Sequence, residues 1–134
     1  KHLLSQDCVT LQPSTRIDDA VAILGHGGHG EAYLVDDKGR YRGSVTLADL
    51  EVMRERDRGR RQVRDCPRTP RPVLGPEASV WEAMHQLQDV TGEAIAVVDD
   101  KAGDAFRGVV YEASIARAYL QHSEALRREE HGTG

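Results

Sequence analysis

A chain of 134 residues, 39% hydrophobic and 30% charged, has the composition of a soluble globular protein, and no apolar run approaches the ~18 residues of a membrane span. Its formal net charge of −4 argues against a general nucleic-acid binder. The two cysteines, Cys8 and Cys66, lack metal-ligand spacing and suit a reducing compartment better than a disulfide framework; Lys1 in place of Met, with no signal-peptide pattern after it, leads us to expect an excised domain of a longer chain.

Along the chain, Val9 to Leu11 predicts a short strand. Ile17, Ala20, Val21 and Leu24 recur at i, i+3, i+4 and i+7, one face of a helix that Gly25, Gly27 and Gly28 are expected to end. Ala32 to Val35 and Tyr41 to Thr46 read as strands joined by the turn residues Asp36-Asp37-Lys38-Gly39, with a helix starting near Leu47. Arg54 to Pro76, rich in Arg and Pro, reads as linker. Val73 and Leu74 then predict a strand, and Val80, Ala83, Met84 and Leu87 a helix opened by the capping box of Ser79 and Glu82. Strands near Ile95 to Val98 and Phe106 to Tyr111 follow, and a last helix from about Glu112 to Glu129.

This order is written twice. Pro13 to Leu24 reads PSTRIDDAVAIL and Pro76 to Leu87 reads PEASVWEAMHQL; both continue through Gly-Glu-Ala (Gly30 to Ala32, Gly92 to Ala94) into an apolar strand closed by Asp36-Asp37 or Asp99-Asp100. The interval from Pro13 to Pro76 equals that from Asp36 to Asp99, so the register holds across helix and strand. Half-domains of ~60 residues are marginal alone. We therefore expect an α+β fold of two repeats, 1–62 and 63–134, each strand-helix-strand-strand-helix, related by a pseudo-twofold axis with a ligand-sized cleft at their junction.

The chemistry-bearing residues are few. In Gly43-Ser44-Val45-Thr46-Leu47-Ala48-Asp49, Thr46 offers a hydroxyl beside the free N–H groups of a helix N-terminus, where phosphate is favoured, and Asp49 can accept both hydroxyls of a ribose. The same Thr-x-x-Asp spacing is a capping-box variant worth about 1 kcal/mol that requires no ligand, and the residues alone leave both readings open. His26 and His29, on a glycine-rich stretch, lack the further ligands of a zinc site and read as a helix stop. The run from Arg54 to Arg61 is partly neutralised by its own acids and reads as solvated; Met84 belongs to an apolar helix face, and Trp81 strays toward a dimer surface. No nucleophile is paired with a base, and the glycines form no P-loop, so nothing points to an enzyme.

Strand, helix, two strands, helix, written twice over nearly the whole chain, resembles a pair of cystathionine-beta-synthase (CBS) domains, and Gly43 to Asp49 resembles that family's ligand-binding signature. The resemblance implies a site joining Ser44, Thr46 and Asp49 to Val73, Leu74, Ala94 and Ile95 of the other repeat, the apolar members sandwiching a base. It implies an adenine nucleotide (ATP, ADP or AMP) as the possible ligand, no required cofactor and no metal. The second repeat departs from the signature, with Tyr111 for Thr and Ser114 for Asp, so one pseudo-symmetric site is expected to be degenerate. Glu112, Ala113, Arg117, Ala118 and Tyr119, with Arg127-Arg128-Glu129-Glu130 beyond, resemble the C-terminal end of bacterial CLC-type chloride channels or transporters. That implies a homodimeric regulatory module on the cytoplasmic face of the cell membrane, partnered by a transmembrane domain and not by nucleic acid. The alternatives are a ligand-free dimerisation scaffold, or a regulatory insert of a soluble enzyme or of another transporter.

Overall fold

A computed structural model describes residues 3–57, 61–69, 71–87 and 94–121. The first repeat runs β1 (Thr10–Leu11), α1 (Ile17–Gly27), β2 (Glu31–Val35), β3 (Tyr41–Thr46) and α2 (Leu47–Asp57); the second runs α3 (Val80–Leu87), β4 (Ala94–Asp99), β5 (Ala105–Tyr111) and α4 (residues 112–121). The fold is the expected mixture of small sheets and helices. The expected continuation of α4 to Glu129 and the second Gly-Glu pair, Gly92 and Glu93, lie outside the described residues, as do Arg58 to Arg60.

Local sequence accounts for the elements. Ile17, Ala20, Val21 and Leu24 are all buried along one side of α1, and Asp18 and Asp19 suit the positive end of its dipole. The helix does not stop at the first glycine: Gly25 and Gly27 lie within it, and Gly28, at φ 71°, ends it in the left-handed conformation. A glycine costs a helix only about 1 kcal/mol, which the packed face opposite Gly25 offsets, whereas a left-handed residue ends the hydrogen-bond ladder. At α3, Ser79 Oγ accepts the Glu82 N–H at 3.1 Å, the N-terminal cap the sequence predicts.

β1 pairs in parallel with β2 (Leu11 opposite Leu34), and β2 antiparallel with β3 (Ala32 opposite Val45, Tyr33 opposite Ser44). In the second repeat β4 and β5 pair antiparallel, and Leu74 makes a parallel bridge to Val97. Leu74 is as far from Leu11 as Val97 is from Leu34, so the duplication seen in the sequence is a duplication of backbone pairing. Strand alternation sorts the described side chains into three cores. Ala32 and Leu34 join α1 and α2 residues in the first, and Ile95 and Val97 join Ala83 and Ile115 in the second. Tyr33, Ala94, Ala96, Val98 and Val109 form a third between the repeats. There Phe106 stacks between Tyr33 and Tyr41, with ring centroids 5.7 and 6.0 Å away.

The segments leading into each repeat cross over. Ser5 exchanges both backbone hydrogen bonds with Val109 of β5, 2.7 and 2.9 Å. The stretch between the repeats is more than the linker its Arg and Pro content suggests. α2 extends to Asp57, and a 3-10 turn, Val63–Asp65, binds back to the first repeat through Ile17 N–H to Arg61 C=O (3.0 Å) and Val63 N–H to Thr15 C=O (2.8 Å). Val63 explains the difference: fully buried in the first core, it contributes on the order of 1.5 to 3 kcal/mol, enough to order charged neighbours.

Candidate functional site

β3 passes directly into α2 at Thr46 and Leu47. The approach needs glycine at position 43, because its φ is 105° and a Cβ there would come within 2.6 Å of Arg68 Cγ. Leu47 N–H then donates to Gly30 C=O at 2.8 Å, tying the helix start to the loop after α1, and Thr46 Oγ1 accepts the Asp49 N–H at 3.2 Å. Thr46 therefore caps α2, as the local reading of its spacing requires.

Beside this helix start lies a cavity of about 290 Å³. Cys8, Val9, Gly28, His29, Gly30, Glu31, Tyr33 and Thr46 line it from the first repeat, and Arg71, Ala94 and Tyr111 from across the junction. Three pairs of repeat counterparts share its walls. Cys8 and Arg71 are counterparts, as are Glu31 and Ala94, and Thr46 and Tyr111 end equivalent strands before equivalent helices; both members of every pair face the cavity. The cavity thus sits astride the pseudo-twofold axis.

Its polar centre is an ion pair. Arg71 Nη2 lies 3.1 Å from Glu31 Oε2, both side chains largely buried, and the Tyr33 hydroxyl donates to Glu31 Oε1 at 3.0 Å. Arg71 Nε is buried with no partner among the described residues. Burial, followed by the charge of Glu31, pushes the Tyr33 phenol far above its ordinary value, so it serves as a donor. The Cys8 thiol is pushed up by burial and then by Asp7, which makes it a poor nucleophile. The Tyr111 hydroxyl donates across the junction to the Asp7 C=O, and His29 Nε2 stands 3.9 Å from Asp7 Oδ1. Among the described residues no three His, Cys, Asp or Glu side chains gather as a metal site.

Of the residues the resemblance joins into one site, only Thr46 and Ala94 line this cavity. Ser44 is fully buried opposite Tyr33. Asp49 is exposed on the first turn of α2, and Val73 is exposed ahead of the bridge strand. Leu74 and Ile95 belong to the second repeat's own core, and Leu74 lines a different cavity. Strand alternation is the reason: in β4, Ala94 and Ala96 point to the junction, so Ile95 between them must point away. Thr46 and Ala94 thus share this cavity with Val9, Glu31 and Tyr33, while Ser44, Asp49, Val73, Leu74 and Ile95 lie outside its lining. Sequence reasoning missed Arg71, Glu31, Tyr33 and the lining role of Gly28 to Gly30. Arg71 was hidden in a charged stretch, but its place as the counterpart of Cys8 was available from the repeat.

The sequence profile described as "CBS domain" matches residues 1–51 and 63–121, and the chain belongs to the CBS domain family, as a tandem pair. Comparison with curated proteins gives no match. Solved structures share the fold. CbpB in complex with c-di-AMP superposes with a TM-score of 0.78 at 17% identity, covering 96% of this chain and 88% of that one. CBSX2, from Arabidopsis thaliana, in complex with AMP gives 0.71 at 22% identity, over 91% and 96%. The cytosolic domain of the Mg2+ channel MgtE in complex with ATP gives 0.71 at 19% identity, over 87% of this chain and 46% of that one. No described helix is long and apolar enough to cross a membrane.

Proposed function

We propose that this CBS pair is a non-catalytic regulatory module that binds one adenine nucleotide per chain in the cavity astride the pseudo-twofold axis. The observation that carries the reading is that cavity itself: a helix start with Thr46, a guanidinium at Arg71 and an apolar wall of Val9 and Ala94 converge on about 290 Å³. Arg71 can exchange Glu31 for a phosphate, since guanidinium binds both bidentately, and Asp49 stands one turn along α2 from Thr46 to meet a ribose. CbpB holding c-di-AMP, CBSX2 holding AMP and MgtE holding ATP in the same fold support an adenine ligand.

Calorimetric titration with AMP, ADP, ATP and c-di-AMP tests this. One should bind at one site per chain, stabilising the fold by about 2.7 kcal/mol at 100 times its dissociation constant. Asp49→Ala and Arg71→Met should each weaken it at least about tenfold, and Ser114→Ala should not. Binding by none of the four would favour the second reading, a ligand-free scaffold, which has its own support: Thr46 Oγ1 already accepts the Asp49 N–H as the cap of α2, a role that needs no ligand.

The proposal extends to assembly and setting. Ile23, Val52, Trp81 and Leu120, large apolar side chains on the four described α-helices, are exposed and suit a homodimer. The α4 residues Glu112, Ala113, Arg117, Ala118 and Tyr119 favour the cytosolic side of a CLC-type chloride transporter, with its transmembrane domain as partner. Light scattering that finds only monomer, or coding sequence ahead of Lys1 that specifies a soluble enzyme, would count against these parts.

A further inference from the structure

The axial cavity is lined by repeat counterparts, yet its charge is one-sided. Arg71 and Glu31 form an ion pair in its wall, while their counterparts under the duplication, Cys8 and Ala94, carry no charge. His29, the one further ionisable nitrogen among the described lining residues, already stands against Asp7 at 3.9 Å. The ion pair is also incompletely made. Arg71 Nη2 meets Glu31 Oε2 at 3.1 Å, but Nη1 is stretched to 3.5 Å from Oε1, which accepts its closer hydrogen bond from the Tyr33 hydroxyl at 3.0 Å. Arg71 Nε is buried with no partner among the described residues. Glu31 therefore keeps a donor when Arg71 leaves it, whereas Arg71 has hydrogen bonds to gain from a better acceptor.

We propose that Glu31 is a displaceable internal counter-ion, and that the cavity selects a nucleotide with a terminal phosphate, which takes Arg71 from Glu31, over a symmetric cyclic dinucleotide. A phosphomonoester carries about −1.5 to −2 charge near neutral pH, more than the carboxylate it displaces, and offers the guanidinium a bidentate edge. A phosphodiester carries no more charge than Glu31 does. In a cyclic dinucleotide laid across the axis, the second phosphodiester would meet the Cys8 and Ala94 side, where no cation answers it. The proposal rests on the nucleotide reading above and narrows it to one ligand class held in one orientation.

The test is calorimetric titration of the whole chain with adenosine, AMP, ADP, ATP and c-di-AMP, repeated with Glu31→Gln. The tightest of AMP, ADP and ATP should bind the unmutated chain at least about tenfold more tightly than adenosine or c-di-AMP, and Glu31→Gln should raise its preference over adenosine at least about tenfold further. A Glu31 that only supported the fold would weaken both ligands alike and leave that ratio unmoved. Should Glu31→Gln fail to fold, the Arg71 Nε–H resonance of the unmutated chain decides, since the phosphorylated nucleotide should shift it and adenosine should not. c-di-AMP binding as tightly as any of the three, a ratio unmoved or lowered by Glu31→Gln, or an Nε–H signal indifferent to the phosphate would each overturn the proposal and leave the nucleotide reading standing. Binding by none of the five would overturn both.

Discussion

Thr46 and Tyr111 hold the same place in the two repeats and face the same cavity, yet they send their hydroxyls in opposite directions. Thr46 accepts the N–H of Asp49 within its own helix, whereas Tyr111 donates across the junction to the Asp7 C=O. One residue caps a helix; its counterpart clasps the leading segment of the chain. The cavity's asymmetry follows from this exchange, because a phenol occupies the volume that a second threonine would leave open.

Tyr111→Phe keeps the ring and removes the clasp. With Asp7 exposed, water replaces the lost donor, and the expected cost is about 0.5 to 1.5 kcal/mol. Thermal unfolding followed by circular dichroism should show a melting point lower by a few degrees. An unchanged melting point would show that the hydrogen bond contributes nothing net.

Breaking the Arg71–Glu31 pair from one side should cost more. Glu31→Gln leaves a guanidinium largely buried without its counter-charge, for which we expect about 1 to 3 kcal/mol, less than for a fully buried pair because both groups retain some solvent contact. Glu31→Gln combined with Arg71→Met should recover part of that loss, and a double-mutant cycle in urea measures it. Strict additivity of the two single changes would remove the coupling.

Asp36 makes the first hairpin acid-sensitive. The backbone N–H of Arg40, at 2.9 Å, together with that of Lys38 and the Arg40 side chain, lowers its carboxyl from an ordinary 3.8 to about 2. A depressed carboxyl contributes stability that is whole above its unfolded value and is lost as the proton goes on. That contribution should therefore be intact above pH ~4 and fade toward pH 2. Asp36→Asn should flatten the stability curve in that window, measured by urea unfolding at stepped pH, and an identical slope in both proteins would sink the assignment.

Gly108→Ala should be more damaging than Gly43→Ala. Both positions have positive φ, 135° and 105°. A Cβ at 108 would meet the backbone oxygen of Ser5 at 2.6 Å, whereas at 43 it would meet a side-chain atom, Arg68 Cγ, at the same distance, and a side chain yields at lower cost than a paired backbone. We expect more than about 1 kcal/mol at either site from the backbone alone, with Gly108 the larger. The reverse order in denaturant midpoints would contradict the crossing at Ser5.

Much of the fold was legible because the duplication fixes register. The interval between Pro13 and Pro76 locates Leu74 opposite Val97 once Leu11 is placed opposite Leu34. The helix faces were legible from period alone: Ile17, Ala20, Val21 and Leu24 are buried as their spacing predicts. The site was less so. A strand's alternation tells which residues share a face but not which face meets the other repeat: Ala94 turns to the junction and Ile95 to the second repeat's own core. Arg71 was missed because an arginine in a charged stretch resembles solvated chain until Glu31, remote in sequence, is brought to it by folding.

The crossed leading segments separate the unit that was copied from the unit that folds. The sequence repeat divides the chain before Val63, yet Val63 completes the core of the preceding half, while Ser5 at the other end is an extra rung on the second half's sheet. A piece ending at residue 62 would keep an arm that serves its sister and lose the plug that seals itself. The two halves are therefore braided partners rather than beads, and cutting the gene at its own symmetry would yield two incomplete cores.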